Sequence, residues 1–68
     1  MFDKELEKIL KEAIGHRVHI DTSEGGDDTG ILVKVTSDVI VVKALVGKLY
    51  INRKATQIVR IQDLDAEE

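Results

Sequence analysis

In "DKELEKILKEAIG" the apolar residues Leu6, Ile9, Leu10, Ala13 and Ile14 recur at helical spacing and fall on one stripe. The spacing predicts a helix over 3–14. Asp3 suits its N-cap, and Glu5 and Glu7 suit the positive end of its dipole. Gly15 is the expected stop, because glycine tolerates positive φ. Phe2 is expected to pack beside Leu6. About three turns are too few for a helix to stand alone in water, so the stripe must dock on something.

Beyond Gly15 the period changes to two. Val and Ile together number sixteen against six Leu, and most lie past the helix, a β-branched bias that favours strands. "HRVHIDT" alternates, with Val18, Ile20 and Thr22 on one face and Arg17, His19 and Asp21 on the other. "SEGGDD" reads as a loop. "GILVKVT" reads as a second strand, with Ile31, Val33 and Val35 on one face. After a short "SD" break, "VIVVKAL" is apolar on both faces and is expected to be covered on both. "VGK" is a tight turn, "KLYIN" a fourth strand, "RKAT" a short turn and "QIVRIQ" a fifth strand. "DLDAEE" is expected to be a frayed acidic tail over 63–68. One helix followed by sequential short strands predicts a mainly β domain with one N-terminal helix. Its five antiparallel strands are expected to close into a small barrel over 16–62.

Sixty-eight residues make one domain, with a core so small that such domains are often helped by a disulfide, a metal or oligomerisation. No cysteine is present, which excludes disulfides and thiolate sites. Oligomerisation is the remaining aid. The charged N-terminus has no apolar signal core, and no apolar run approaches the roughly 20 residues a membrane span needs. A cytoplasmic home with no membrane partner is the expectation.

The pattern resembles the Sm-like fold, an N-terminal helix followed by five bent antiparallel strands in an SH3-like barrel. "IGHRVHI" is similar to the entry into the first strand of that family. "GILVKVTSDVIVV" resembles its first motif and "YINRKATQIV" its second, and "RKATQIV" is similar to the Lys-His-Ala turn of bacterial Sm-like RNA chaperones. Arg53, Lys54 and Ala55 stand where that turn has Lys, His and Ala. The chain departs from the family in two places. No Asn lies in the "TSD" loop, where many members hold a uracil, and Asn52-Arg53 stands where an Arg-Gly step is usual. Short bacterial Sm-like proteins share the same helix-plus-barrel pattern. The resemblance implies a ring of subunits with Arg53 and Lys54 facing a central pore, able to hold phosphates.

Charge is segregated along the chain. Residues 21–38 carry a net −4, residues 39–62 a net +5 with no acid at all, and residues 63–68 a net −4. The acid-free stretch contains Lys43, Lys48, Arg53, Lys54 and Arg60, the candidate contacts for RNA or another polyanion. The bland reading is that these are solvated strand and turn positions. Aromatic platforms for unpaired bases are scarce, since only Phe2 and Tyr50 are present. Tyr50 is expected at a subunit seam. In the fifth strand Val59 and Ile61 are read on one face and Ile58 on the other. With aliphatics on both faces, one is expected to be covered by the fourth strand of a neighbour.

No other chemistry stands out. His16 and His19 point to opposite faces of a strand and cannot chelate one metal together. "DTSEGGDD" lacks the spacing of a calcium loop, and in "GGDDTG" the carboxylates would repel phosphate and no Lys follows the glycines. No metal site or cofactor is expected, and no catalytic residue either, since no nucleophile has a partnered base. Two functional readings stay open. One is a homo-oligomeric module that binds RNA or another polyanion through 43–60. The other is a structural or protein-interaction module of the same fold without nucleic-acid binding.

Overall fold

A computed structural model describes residues 4–65 of the chain. Asp3 as N-cap, Phe2 beside Leu6 and the last acids Glu67 and Glu68 lie outside the described residues. The order is helix α1 (Lys4–Glu12) and strands β1 (Arg17–Thr22), β2 (Asp27–Val35), β3 (Val39–Lys43), β4 (Lys48–Asn52) and β5 (Ile58–Asp63). The strands form one antiparallel sheet in the order β4-β3-β2-β1-β5. Among the described residues no helix is long and apolar enough to cross a membrane.

The expected closed barrel does not form. Among the described residues β4 is hydrogen-bonded only to β3 and β5 only to β1, so the sheet is open with β4 and β5 as its two edges. A single short helix covers the inner face. Leu10 and Ala13 of the helix segment join Val18, Ile20, Leu32, Ile40, Val42 and Ile51 in the core, with Leu6, Val35, Ile58 and Ile61 packed against it. The docked stripe is narrower than the spacing implied, since Ile9 and Ile14 are exposed. The helix ends at Glu12, and Ala13–Gly15 form a tightening turn in which the Ile14 amide donates to Lys11. Gly15, at φ 92°, then donates its N–H to the Leu32 carbonyl at 2.8 Å, tying the helix exit to the sheet.

Two bulges set which residues face inward. The β2–β3 register runs Leu32↔Val42 and then Lys34↔Val41, leaving Val33 as the extra residue. Leu32 and Val35 therefore both face the core, three residues apart. The alternation Ile31, Val33, Val35 read from the sequence is corrected: Leu32 is the buried residue and Val33 is exposed. The second bulge lies on β5, where Asp21 pairs with Arg60 and Thr22 with Ile58, leaving out Val59. Ile58 and Ile61 thus both pack on the core, while Val59 is exposed. The expected pairing of Val59 with Ile61 on one face does not hold.

Strand ends also differ from expectation. β2 begins at Asp27, three residues before Gly30, because the ladder with β1 runs on to Asp21↔Asp27. The true turn is Ser23–Gly26, closed by Thr22, whose hydroxyl accepts from the Gly26 amide at 3.1 Å. Gly30 lies inside β2, where a Cβ would sit 2.4 Å from the Lys43 carbonyl oxygen. β3 stops at Lys43, and the turn to β4 leaves Leu45 and Val46 fully exposed at its tip. The start of the acidic tail is not frayed. Asp63 belongs to β5, and Asp65 accepts from the Arg17 backbone amide at 2.8 Å and from its Nε at 3.1 Å.

Candidate nucleic-acid interface

The turns before β3 and after β4 come together. Thr36 shapes the first by accepting from the amides of Asp38 and Val39. Asn52 shapes the second, its Oδ1 accepting from the amides of Lys54 at 2.9 Å and Ala55 at 3.3 Å. The Arg53 amide donates to the Asp38 carbonyl across the gap at 2.8 Å.

Arg53 is not the solvated cation of the sequence reading. Its side chain is 9% exposed and its guanidinium grips Glu7 of the helix through both Nη atoms. Nη1 also donates to the Thr36 carbonyl at 2.7 Å. The Glu7 hydrogen bond raises the Arg53 pKa, opposed by burial, so the charge is permanent and already matched. Arg53 ties helix, β2–β3 turn and β4–β5 turn together. Lys54 is exposed and lies 3.5 Å from Asp38, and Arg60 donates from Nε to Asp21 at 2.9 Å. Three of the five candidate cations therefore have a carboxylate of their own chain.

Lys43 and Lys48 do not. They stand directly opposite each other on β3 and β4, both exposed, with no ion pair among the described residues. Like charges in such cross-strand positions repel each other. Two residues along, Val41 pairs with Tyr50 on β4 and with Lys34 on β2, so these three share that same outer face. Lys34 is exposed and likewise has no ion pair among the described residues. Tyr50, 69% exposed, thus shares the outer face with three lysines that have no ion pair among the described residues.

The sequence reading found Lys43, Lys48 and Tyr50 but assigned Tyr50 to a seam and missed Lys34. That lysine lies in the acidic block, and only the bulge at Val33 brings it level with Val41 and Tyr50. Val41 itself is buried, so β3 is covered on both faces as its apolar run implied. Of the expected interface residues, Tyr50 and Val59 are exposed, on β4 and β5, the two open edges.

Away from the lysines, each histidine is met by carboxylates, and of the two only His19 shares the outer face. His16 Nδ1 is 2.8 Å from Asp63, whose hydrogen bond raises the imidazole pKa. Asp65 is held below its ordinary range, chiefly by the Arg17 backbone amide. His19 meets Asp21, Asp27 and Thr29, a grouping that neither the histidine pair nor the loop spacing predicts. Its signal was present in the i,i+2 spacing of His19 and Asp21 on one strand face. Comparison of the chain with family models, curated proteins and solved structures finds no match.

Proposed function

We propose that this chain is a small non-enzymatic Sm-like module that binds single-stranded RNA or a similar polyanion on the outer face of β2, β3 and β4. The observation that carries this reading is the set Lys34, Lys43 and Lys48 around exposed Tyr50, with no carboxylate partner among the described residues. Lysines contact the phosphate backbone and an exposed aromatic ring offers a base a stacking surface. This reading keeps Lys43 and Lys48 of the 43–60 segment, adds Lys34, and leaves out Arg53, Lys54 and Arg60, which have carboxylate partners. The open edges β4 and β5 support assembly with further copies, because an unpaired edge is a template for strand addition.

Filter binding with poly-U and poly-A at two salt concentrations tests the reading. Replacing Lys34, Lys43 and Lys48 by Gln should weaken binding to both. It should flatten the slope of log K against log salt by about 0.7 for each lost contact on a single strand. Tyr50→Ala should cost about 1–3 kcal/mol if one base stacks there. A second reading, a protein-interaction module without nucleic-acid binding, is favoured by the fully exposed Leu45 and Val46 at the β3–β4 turn. Absence of RNA binding at about 50 mM salt, where counterion release helps most, would decide for that second reading.

A further inference from the structure

We infer that His19, Asp21 and Asp27 form a binding site for a divalent transition-metal ion of the zinc kind. His19 and Asp21 lie two apart on β1 and share the outer face, and the β1–β2 register sets Asp27 directly opposite Asp21. All three donors therefore stand on paired strands. His19 Nε2 lies 3.1 Å from Asp21 Oδ1 and 2.8 Å from Asp27 Oδ1, and one ligand atom from each residue falls within 4.8 Å of the others. Zinc bonds to imidazole and carboxylate at about 2.0–2.2 Å, so its tetrahedral ligand atoms stand roughly 3.3–3.5 Å apart. A small outward shift reaches that spacing, and Asp27, 65% exposed, is free to make it.

The chemistry of the group favours a dication over a proton. Nε2 can carry at most one hydrogen, yet it faces two carboxylate oxygens. The groups behind the ligands are also in place. His19 Nδ1 is 2.8 Å from the Thr29 hydroxyl, which fixes the ring and leaves Nε2 toward the carboxylates. Arg60 donates to the far oxygen of Asp21, Oδ2, leaving Oδ1 for the ion, while its charge tempers the affinity. One imidazole with two carboxylates suits zinc, cobalt or nickel, whereas magnesium and calcium prefer oxygen alone. The three ligands leave a fourth position to water.

Isothermal titration of the chelator-treated chain at neutral pH, with zinc chloride and separately with magnesium chloride, tests the site. One equivalent of zinc should bind, magnesium should not, and the His19 Nε2 resonance should shift in a nitrogen NMR spectrum. His19→Gln and Asp27→Asn should abolish the zinc heat. Thr29→Val, which removes only the hydroxyl behind the ring, should weaken binding by roughly 10–100-fold. His16→Gln should leave zinc binding unchanged. The inference is overturned by no zinc heat in the unmodified chain, by zinc binding that survives His19→Gln, or by equal binding of magnesium. If His19→Gln does not fold, as judged by circular dichroism, the NMR shift in the unmodified chain decides: an unmoved Nε2 resonance rejects the site.

Discussion

Arg53 carries more of the structure than its place in a surface turn suggests. It joins Glu7, 46 residues away, to the Thr36 carbonyl on a third segment. Arg53→Met removes the hydrogen bonds to Glu7 and to the Thr36 carbonyl, and should cost about 1–3 kcal/mol, the scale of lost hydrogen bonds to charged groups. Chemical denaturation measures that loss, while RNA affinity per folded molecule should hold. Gly30 is a steric requirement. An added methyl group meets the Lys43 carbonyl at 2.4 Å and Val42 Cγ1 at 2.7 Å, so Gly30→Ala should destabilise by roughly 1–3 kcal/mol through overpacking. His16 supplies a pH dependence. Its pKa is raised in the fold by Asp63, with Asp65 adding to the effect and Arg17 holding Asp65 from the other side. Folding therefore favours the protonated ring. That contribution is complete below the ordinary value of 6.5 and is lost as pH rises through the folded value. Asp65, held low, has the opposite sense: its contribution is present above the ordinary carboxylate range and fades as pH falls. Melting temperature should fall as pH rises above 6.5, and His16→Ala should flatten that fall.

At the scale of elements, the helix is held by few side chains. Leu10 is fully buried, so Leu10→Ala should cost about 2–5 kcal/mol in a thermal or denaturant melt. Ile9→Ala, on an exposed neighbour, should cost far less. Helix position, strand count and the full extent of β4 were legible in the sequence, because each rests on local periodicity and turn chemistry. The phases of β2 and β5 were not. A bulge inserts one residue and reverses the inward and outward sense beyond it, and nothing in "ILVKV" or "IVRI" marks Val33 or Val59 as the extra residue. The same limit hid the candidate face. That Lys43 and Lys48 are cations was plain, but that Arg53 and Arg60 are neutralised depends on partners 46 and 39 residues away. Lys34 could join them only once the register was known.

The molecule as a whole presents two unlike edges and one face of mixed charge. Its lysines lie toward β4 and its carboxylates toward β1 and the start of β2. If copies join edge to edge, Val59→Lys should block the contact by placing a charge on β5. Light scattering should then read 7.6 kDa for that variant and a multiple of it for the unmodified chain. A monomeric unmodified chain would remove the assembly from the proposal. The strand order also governs how the fold is reached. β1 through β4 are successive hairpins, whose contacts close short loops, whereas β5 must return across the intervening hairpins to pair with β1. Closing that longer loop carries a greater entropic cost, so the β5 contacts should form after the folding barrier and the hairpin contacts before or at it. In stopped-flow experiments Leu32→Ala should then mainly slow folding, and Ile61→Val should mainly speed unfolding. The lifetime of the native state would thus be set at β5, where its pairing with β1 is the first to be released.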